Sequence, residues 1–258
     1  MLVQTVPIRR PLTLAAEPLT PSSFAPFGAV LANPAPEKLP HATAAAALPP
    51  GVGAVSANQG TAIQYRALAP PLRDLYAQAA SARPSSPRTT MFVCGARTLS
   101  PSSSSASPQD GGGLFEVEIL ERHPFTTQTF VPLAAKERYL VVVAPSLPPD
   151  AGSAVEKQLP VPVGDGKLPG RGMPDLDGLR AFVATGSQAV TYGAGTWHAP
   201  MAALGPAGTA IDFVVVQFAN DVPVEDCQEV ALEAGREGEK DKPRILVEVP
   251  GLPKTSKL

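Results

Sequence analysis

Residues 115–120 read FEVEIL, apolar and acidic in near alternation, which predicts a strand with one face buried. Two runs rich in β-branched residues, RYLVVVA at 138–144 and IDFVVVQF at 211–218, have strand length and predict buried strands. LRAFVA (179–184) and AVTY (189–192) flank Thr185-Gly186-Ser187-Gln188, a turn-rich connection that predicts a hairpin. Helical signals are few. TPSSFAPFG places Thr20 as a cap, Pro21 at the first helical position and Gly28 as a stop, giving one short helix. PLRDLYAQAAS at 71–81 predicts a second. Short strands parted by Gly- and Pro-bearing turns indicate a sandwich or barrel.

The thirty-one prolines do not contradict this, because they cluster. They fall mainly at 34–50, 84–87, 101–108 and 145–174, which are read as loop insertions between strands. His41, within the first insertion, is expected to be a solvated loop histidine. The chain of 258 residues, 44% hydrophobic, suffices for one large domain or two small ones. A net charge of −2 gives no basic face for nucleic acid or an anionic membrane. No apolar run reaches the roughly 18 residues of a membrane span, and MLVQTVPIRRPLTL lacks the apolar stretch of a secretory signal. Cys94 and Cys227 have neither metal-site spacing nor a disulfide pattern, and are read as buried thiols of a reducing compartment. The closing Ser256-Lys257-Leu258 is the tripeptide that the peroxisomal import receptor reads, so a peroxisomal address is expected, and otherwise the cytoplasm.

Chemistry concentrates in two stretches. In LERHPFTTQTF (120–130), strand alternation turns Glu121 and His123 to one side and Arg122 to the other, with Gln128 further on. In YGAGTWHAP (192–200), His198 follows the only tryptophan, Trp197. Glu-x-His-x4-Gln resembles the first metal motif of cupin barrels, and Gly195-Thr196-Trp197-His198 resembles the second. Together they propose Glu121, His123, Gln128 and His198 as one convergent set, suited to a borderline divalent metal such as nickel, zinc or manganese. The plainer reading of each histidine is a hydrogen-bonded core or rim residue. Trp197 is read as packing. Tyr192 either donates a proton or packs, and Asn58 is either a turn residue or a substrate contact. Glu118, in the opposite strand phase, is a reserve.

Six segments resemble the ureidoglycolate lyase family in order: EPLTPSSFAPFGAVL (17–31), NQGTAIQY (58–65), LERHPFTTQTFVPL (120–133), RYLVVVAP (138–145), PDLDGLRAFVATGSQAVTYGAGTWHAP (174–200) and DFVVVQFANDVPVEDC (212–227). The resemblance covers about three quarters of the chain, and the Pro-rich stretches fall in its gaps. It implies an all-β, cupin-like barrel with a few short helices, spanning 1–235, followed by a segment 236–258 that carries the targeting tail. It further implies a homodimer, nickel as metal, and cleavage of ureidoglycolate to glyoxylate and urea in allantoin breakdown. Two positions often occupied by histidine in the family hold Gly193 and Ala199, and an arginine common near Gln64 is absent.

Cleaving this carbinolamine needs its hydroxyl deprotonated and the departing nitrogen protonated. Substrate-oxygen binding is assigned to His123, His198 and Gln128, the base role to Glu121 and the acid role to Tyr192, with Asn58 as a further substrate contact. Two other classes compete. An amidohydrolase would release ammonia from the urea carbonyl, but usually brings a denser His/Asp/Glu set. A non-catalytic barrel binding a small acid is the other, favoured by Gly193 and Ala199.

Overall fold

In the computed structural model the described residues are 2–41, 48–102, 111–134, 137–150, 159–163, 172–233 and 243–252. Ser256-Lys257-Leu258 lie outside them. The first strands are β1 (Leu2–Pro7), β2 (Leu12–Ala15), β3 (Glu17–Pro18), β4 (Gly28–Leu31), β5 (Ala54–Ala57) and β6 (Ala62–Tyr65). Next come β7 (Ser86–Gly95), β8 (Gly113–Glu116), β9 (Ile119–Arg122), β10 (Gln128–Pro132), β11 (Arg138–Ala144) and β12 (Arg180–Thr185). The last are β13 (Ala189–Tyr192), β14 (Trp197–His198), β15 (Ala202–Leu204), β16 (Ala210–Ala219), β17 (Gln228–Glu233) and β18 (Ile245–Val249). Two one-turn helices, α1 (Pro21–Phe24) and α2 (Pro223–Asp226), complete the all-β, cupin-like architecture.

One sheet runs β1-β17-β9-β14-β11-β12-β3, with β15 also on β11. A second runs β4-β13-β10-β16-β7, a third β2-β18-β8, and β5 with β6 forms a separate hairpin. Strand β11 is sandwiched between two cores. Leu140, Val142 and Ala144 enter one with Trp197, Leu120 and Val247. Tyr139, Val141 and Val143 enter the other with Phe24, Phe182, Tyr192 and Phe213. That double burial explains why its sequence is continuously apolar rather than alternating. The second core, between the first two sheets, is the barrel interior where the site forms.

Several sequence expectations are corrected in detail. FEVEIL is two strands, broken at Val117-Glu118: β8 pairs with β18, while β9 pairs with β14 and β17. Strand β16 is fully buried on one face only: Ile211, Phe213 and Val215 are buried, while Ala210 and Asp212 are exposed and Val214 is half-buried. Strands β12 and β13 follow each other but do not pair, because β12 joins β11 and β13 joins β10 and β4. The chain thus crosses between sheets at 185–188, where Gly186 donates to the Glu137 carbonyl and a Cβ on it would overlap Ala134. The 71–81 stretch holds only a single 3-10 turn, Tyr76–Gln78. Its backbone is drawn elsewhere: Leu75 N–H donates to the Phe125 carbonyl, and the Asp74 carboxylate accepts from Tyr76 N–H. Residues 245–249, beyond the boundary placed at 235, form β18 between β2 and β8, with Ile245, Val247 and Val249 buried.

Helix α1 forms where its cap predicts, with Thr20 and Ser23 bonding each other's backbone N–H. It ends at Ala25, short of Gly28. Gly28 instead opens β4 with φ +155°, lying so close to Thr191 that a Cβ would overlap that carbonyl. No helix among the described residues is long and apolar enough to cross a membrane.

Candidate functional site

Register brings the first two chemical residues together. Strand β14 pairs with β9 so that His198 lies directly opposite Glu121, and β11 places Val143 opposite His198 on its other side. Since Val143 faces the barrel interior, His198 faces it too, and Glu121 with it. Trp197 and Arg122, each one residue away, take the opposite face: the Arg122 guanidinium stacks over the Trp197 ring at 4.5 Å. His123 follows β9 and is fixed by backbone, as its carbonyl accepts from Gly195 N–H. One ligand atom each from Glu121, His123 and His198 lies within 4.8 Å of the others.

Both imidazoles are oriented the same way. Nδ1 of His123 lies 2.6 Å from the Asp226 carbonyl, and Nδ1 of His198 lies 2.9 Å from the Thr196 carbonyl. A carbonyl only accepts, so each Nδ1 carries a proton, and in the neutral imidazole each Nε2 presents a lone pair. These Nε2 atoms are buried without a hydrogen-bond partner, and that of His198 lies 3.4 Å from Glu121 Oε1. Two lone pairs therefore face one carboxylate, an arrangement of acceptors that is completed by a cation or by donors from a ligand.

The electrostatics agree. Burial opposes charge on Glu121, but an imidazole that carries a proton on Nε2 outweighs burial, through the His198 hydrogen bond and then the charges of His198 and His123, and these lower its pKa to about 2. Burial and the neighbouring His198 lower His123 to about 4, against the opposing pull of Glu121, so at neutral pH it is an uncharged donor of electrons. Cys227, absent from the sequence-derived set, places its thiol 3.8 Å from Glu121 Oε2. Burial and then the Glu121 charge push that thiol up to about 12, so it stays protonated and donates to the carboxylate.

Tyr192 lies against this group in a stacking role. Its ring is 3.9 Å from that of His198 and tilted by only 12°, while Phe24 and Phe130 meet it edge-on. Burial pushes its hydroxyl well above the usual tyrosine range, so the proton stays on oxygen. Gln128 is buried, but its amide Nε2 donates to Gln217 Oε1 at 2.7 Å. Asn58 joins none of these bonds: it is exposed in a 3-10 turn between β5 and β6, where its carbonyl accepts from Thr61. His41 and Glu118 are exposed. Cys94 and Cys227 form no disulfide, and both are partly rather than fully buried.

Ala199 is not a vacated ligand position. It packs in the core beside Trp197, on the face of β14 away from His198. Gly193 donates its N–H to Phe27. Neither replacement removes a member of the Glu121, His123 and His198 trio. Asp226 and Cys227 were missed because one acts through a backbone carbonyl and the other carries no spacing signal. Gln217 sits in a run of valines, where a polar residue at an inward position is the signal that reveals it.

Fold and site together define a cupin-like barrel with a two-histidine, one-carboxylate centre inside. A family model described as ureidoglycolate lyase matches residues 11–237. The chain is 33% identical over 222 residues to the ureidoglycolate lyase of Schizosaccharomyces pombe, covering 85% of this chain and 91% of that protein. It is 31% identical over 209 residues to that of Burkholderia mallei, covering 81% and 84%. A 119-residue stretch is 40% identical to that of Saccharomyces cerevisiae, covering 44% and 49%. The chain belongs to the ureidoglycolate lyase family.

Proposed function

We propose that this protein is a carbon–nitrogen lyase that splits ureidoglycolate into glyoxylate and urea. The observation that carries the reading is the pair of fixed, unpartnered Nε2 lone pairs converging with the Glu121 carboxylate inside the family's barrel. The trio fits a divalent cation, because both imidazoles are held in the ligating tautomer by carbonyl acceptors. His123, His198 and Glu121 would hold it, nickel being the ion the family resemblance implies. Such an ion supplies positive charge that stabilises a developing oxyanion.

The chain's own groups account for the proton movements. The trio binds the hydroxyl and carboxylate oxygens of the substrate, and the neighbouring Gln128 lies beside it. Glu121, ionised throughout the neutral range, takes the hydroxyl proton. The O–H electron pair becomes the second bond of the new carbonyl, and the C–N pair leaves with the urea nitrogen. Tyr192, whose phenol keeps its proton at neutral pH, delivers a proton to that nitrogen. Its stack on His198 holds the ring beside the trio. No water is consumed, so purified protein given ureidoglycolate is expected to form urea and glyoxylate in equal amounts. Ammonia as the nitrogen product, with no urease present, overturns this in favour of hydrolysis. Absence of any product with the protein loaded with nickel, zinc or manganese favours a binding protein.

The peroxisomal address belongs to the same proposal. A fluorescent fusion ending in Ser256-Lys257-Leu258 is expected to collect in peroxisomes. A diffuse signal in cells with normal import removes that part of the reading.

A further inference from the structure

Strand register lines up a row of polar residues beside the trio. Gln128 on β10 is paired with Tyr192 on β13, whose ring stacks on His198. On its other side β10 pairs with β16, Thr129 against Val216, and one step along that register Gln128 meets Gln217, their amides 2.7 Å apart. Phe213 and Val215, which share Gln217's face of β16 by alternation, are buried in the barrel core. Gln217 therefore points into the barrel, and it is partly buried. Gln128 is only 4% exposed, and its Oε1 is buried without a hydrogen-bond partner.

An amide pair is an unusual thing to place here for structure alone. The aromatic wall of Phe130, Tyr192 and Phe213 beside it is apolar, and a buried acceptor with no donor is costly. One hydrogen bond between the two side-chain amides leaves Oε1 of Gln128 to accept and the Gln217 amide N–H groups to donate. Neither carries charge, so the pair is poorly matched to a carboxylate. Its complement is a neutral group that offers N–H and C=O together.

We propose that Gln217, acting with Gln128, is a specificity-determining residue that recognises the ureido group of the substrate. The inference rests on the lyase reading for the direction in which substrate lies. The hydroxyl and carboxylate oxygens meet the trio, while the ureido end meets the amides on the neighbouring strands, about one strand spacing from Tyr192. The products then separate along the same line, glyoxylate at the trio and urea at the amide pair. The arrangement also selects against acids of equal charge that lack the ureido group, because the buried Gln128 oxygen stays unmatched when they bind.

Calorimetry with two inert probes reads this out. Ureidoacetate keeps the carboxylate and ureido group but lacks the hydroxyl and cannot be cleaved; glycolate keeps the carboxylate and hydroxyl but has no ureido group. Gln217→Met, close in shape, is expected to weaken ureidoacetate roughly tenfold, the scale of one or two lost neutral hydrogen bonds. Glycolate affinity is expected to stay within about twofold. Should Gln217→Met not melt like the parent protein, Gln217→Leu, also uncharged and without donors, replaces it, with the same split expected. Equal losses for both probes, no loss for either, or no binding of ureidoacetate by the unsubstituted protein overturns the proposal. Because the probes need no turnover, a protein that makes no urea from ureidoglycolate sinks the lyase reading without deciding this one.

Discussion

Replacing either site histidine with alanine is expected to lower kcat/KM for ureidoglycolate by two orders of magnitude or more, while His41→Ala leaves it unchanged. The size follows from losing a fixed group that stabilises charge developing in the transition state, worth roughly 3–4 kcal/mol. His123 and His198 are buried, and each is tied through Nδ1 to a main-chain carbonyl, Asp226 and Thr196 respectively. Neither can be replaced by the other, because they approach Glu121 from different segments, His198 across the strand pair and His123 from beyond β9. His41 is exposed in a loop. The same variants are expected to lose bound divalent metal in parallel, read by elemental analysis of protein purified without chelator. Near-parental rates in both variants, with unchanged melting, would refute the assignment.

The sequence reveals these residues because two local signals coincide. Strand alternation turns Glu121 and His123 the same way without reference to any partner, and Gly195 two residues before Trp197 marks a chain turning into a short strand. What alternation cannot supply is register, which is a long-range property. That is why the opposition of Glu121 and His198 and the meeting of Gln128 with Gln217 emerge only in three dimensions. Gln128 illustrates the limit. Its spacing places it beside the histidines, but its partner lies on β16, eighty-nine residues along the chain, and the amide turns that way.

Strand predictions erred where burial was judged from a single run. RYLVVVA is buried on both faces because a core lies on each side. IDFVVVQF looks equally apolar, yet its outer face is uncovered, and on the neighbouring edge strand β7 Met91 and Val93 are 57% and 68% exposed. Composition alone does not separate those cases. The 71–81 stretch erred for another reason: its helical pattern is weak enough for bonds to Phe125 and Asp74 to take over the backbone.

Arg122 is expected to be the most stabilising single side chain among those that frame the site without entering it. It is fully buried, with Nε donating to Gln228 Oε1 at 2.9 Å and Nη1 to the Gly172 carbonyl at 3.0 Å. The Gly172 carbonyl also accepts from Trp197 Nε1 at 3.1 Å. A guanidinium stacked on Trp197 and sharing its acceptor thus joins β9 to β14 directly behind Glu121 and His198. Arg122→Ala removes the stack, strands the Gln228 oxygen and leaves a cavity against Trp197. The expected cost is about 3–5 kcal/mol, the range for breaking a buried charged network. Arg122→Lys should recover little, because a single ammonium cannot reach both acceptors while lying flat on the indole. Urea unfolding followed by far-ultraviolet circular dichroism measures both. A loss below about 0.5 kcal/mol for Arg122→Ala, the size of an ordinary surface change, would show that the two strands hold their register without it.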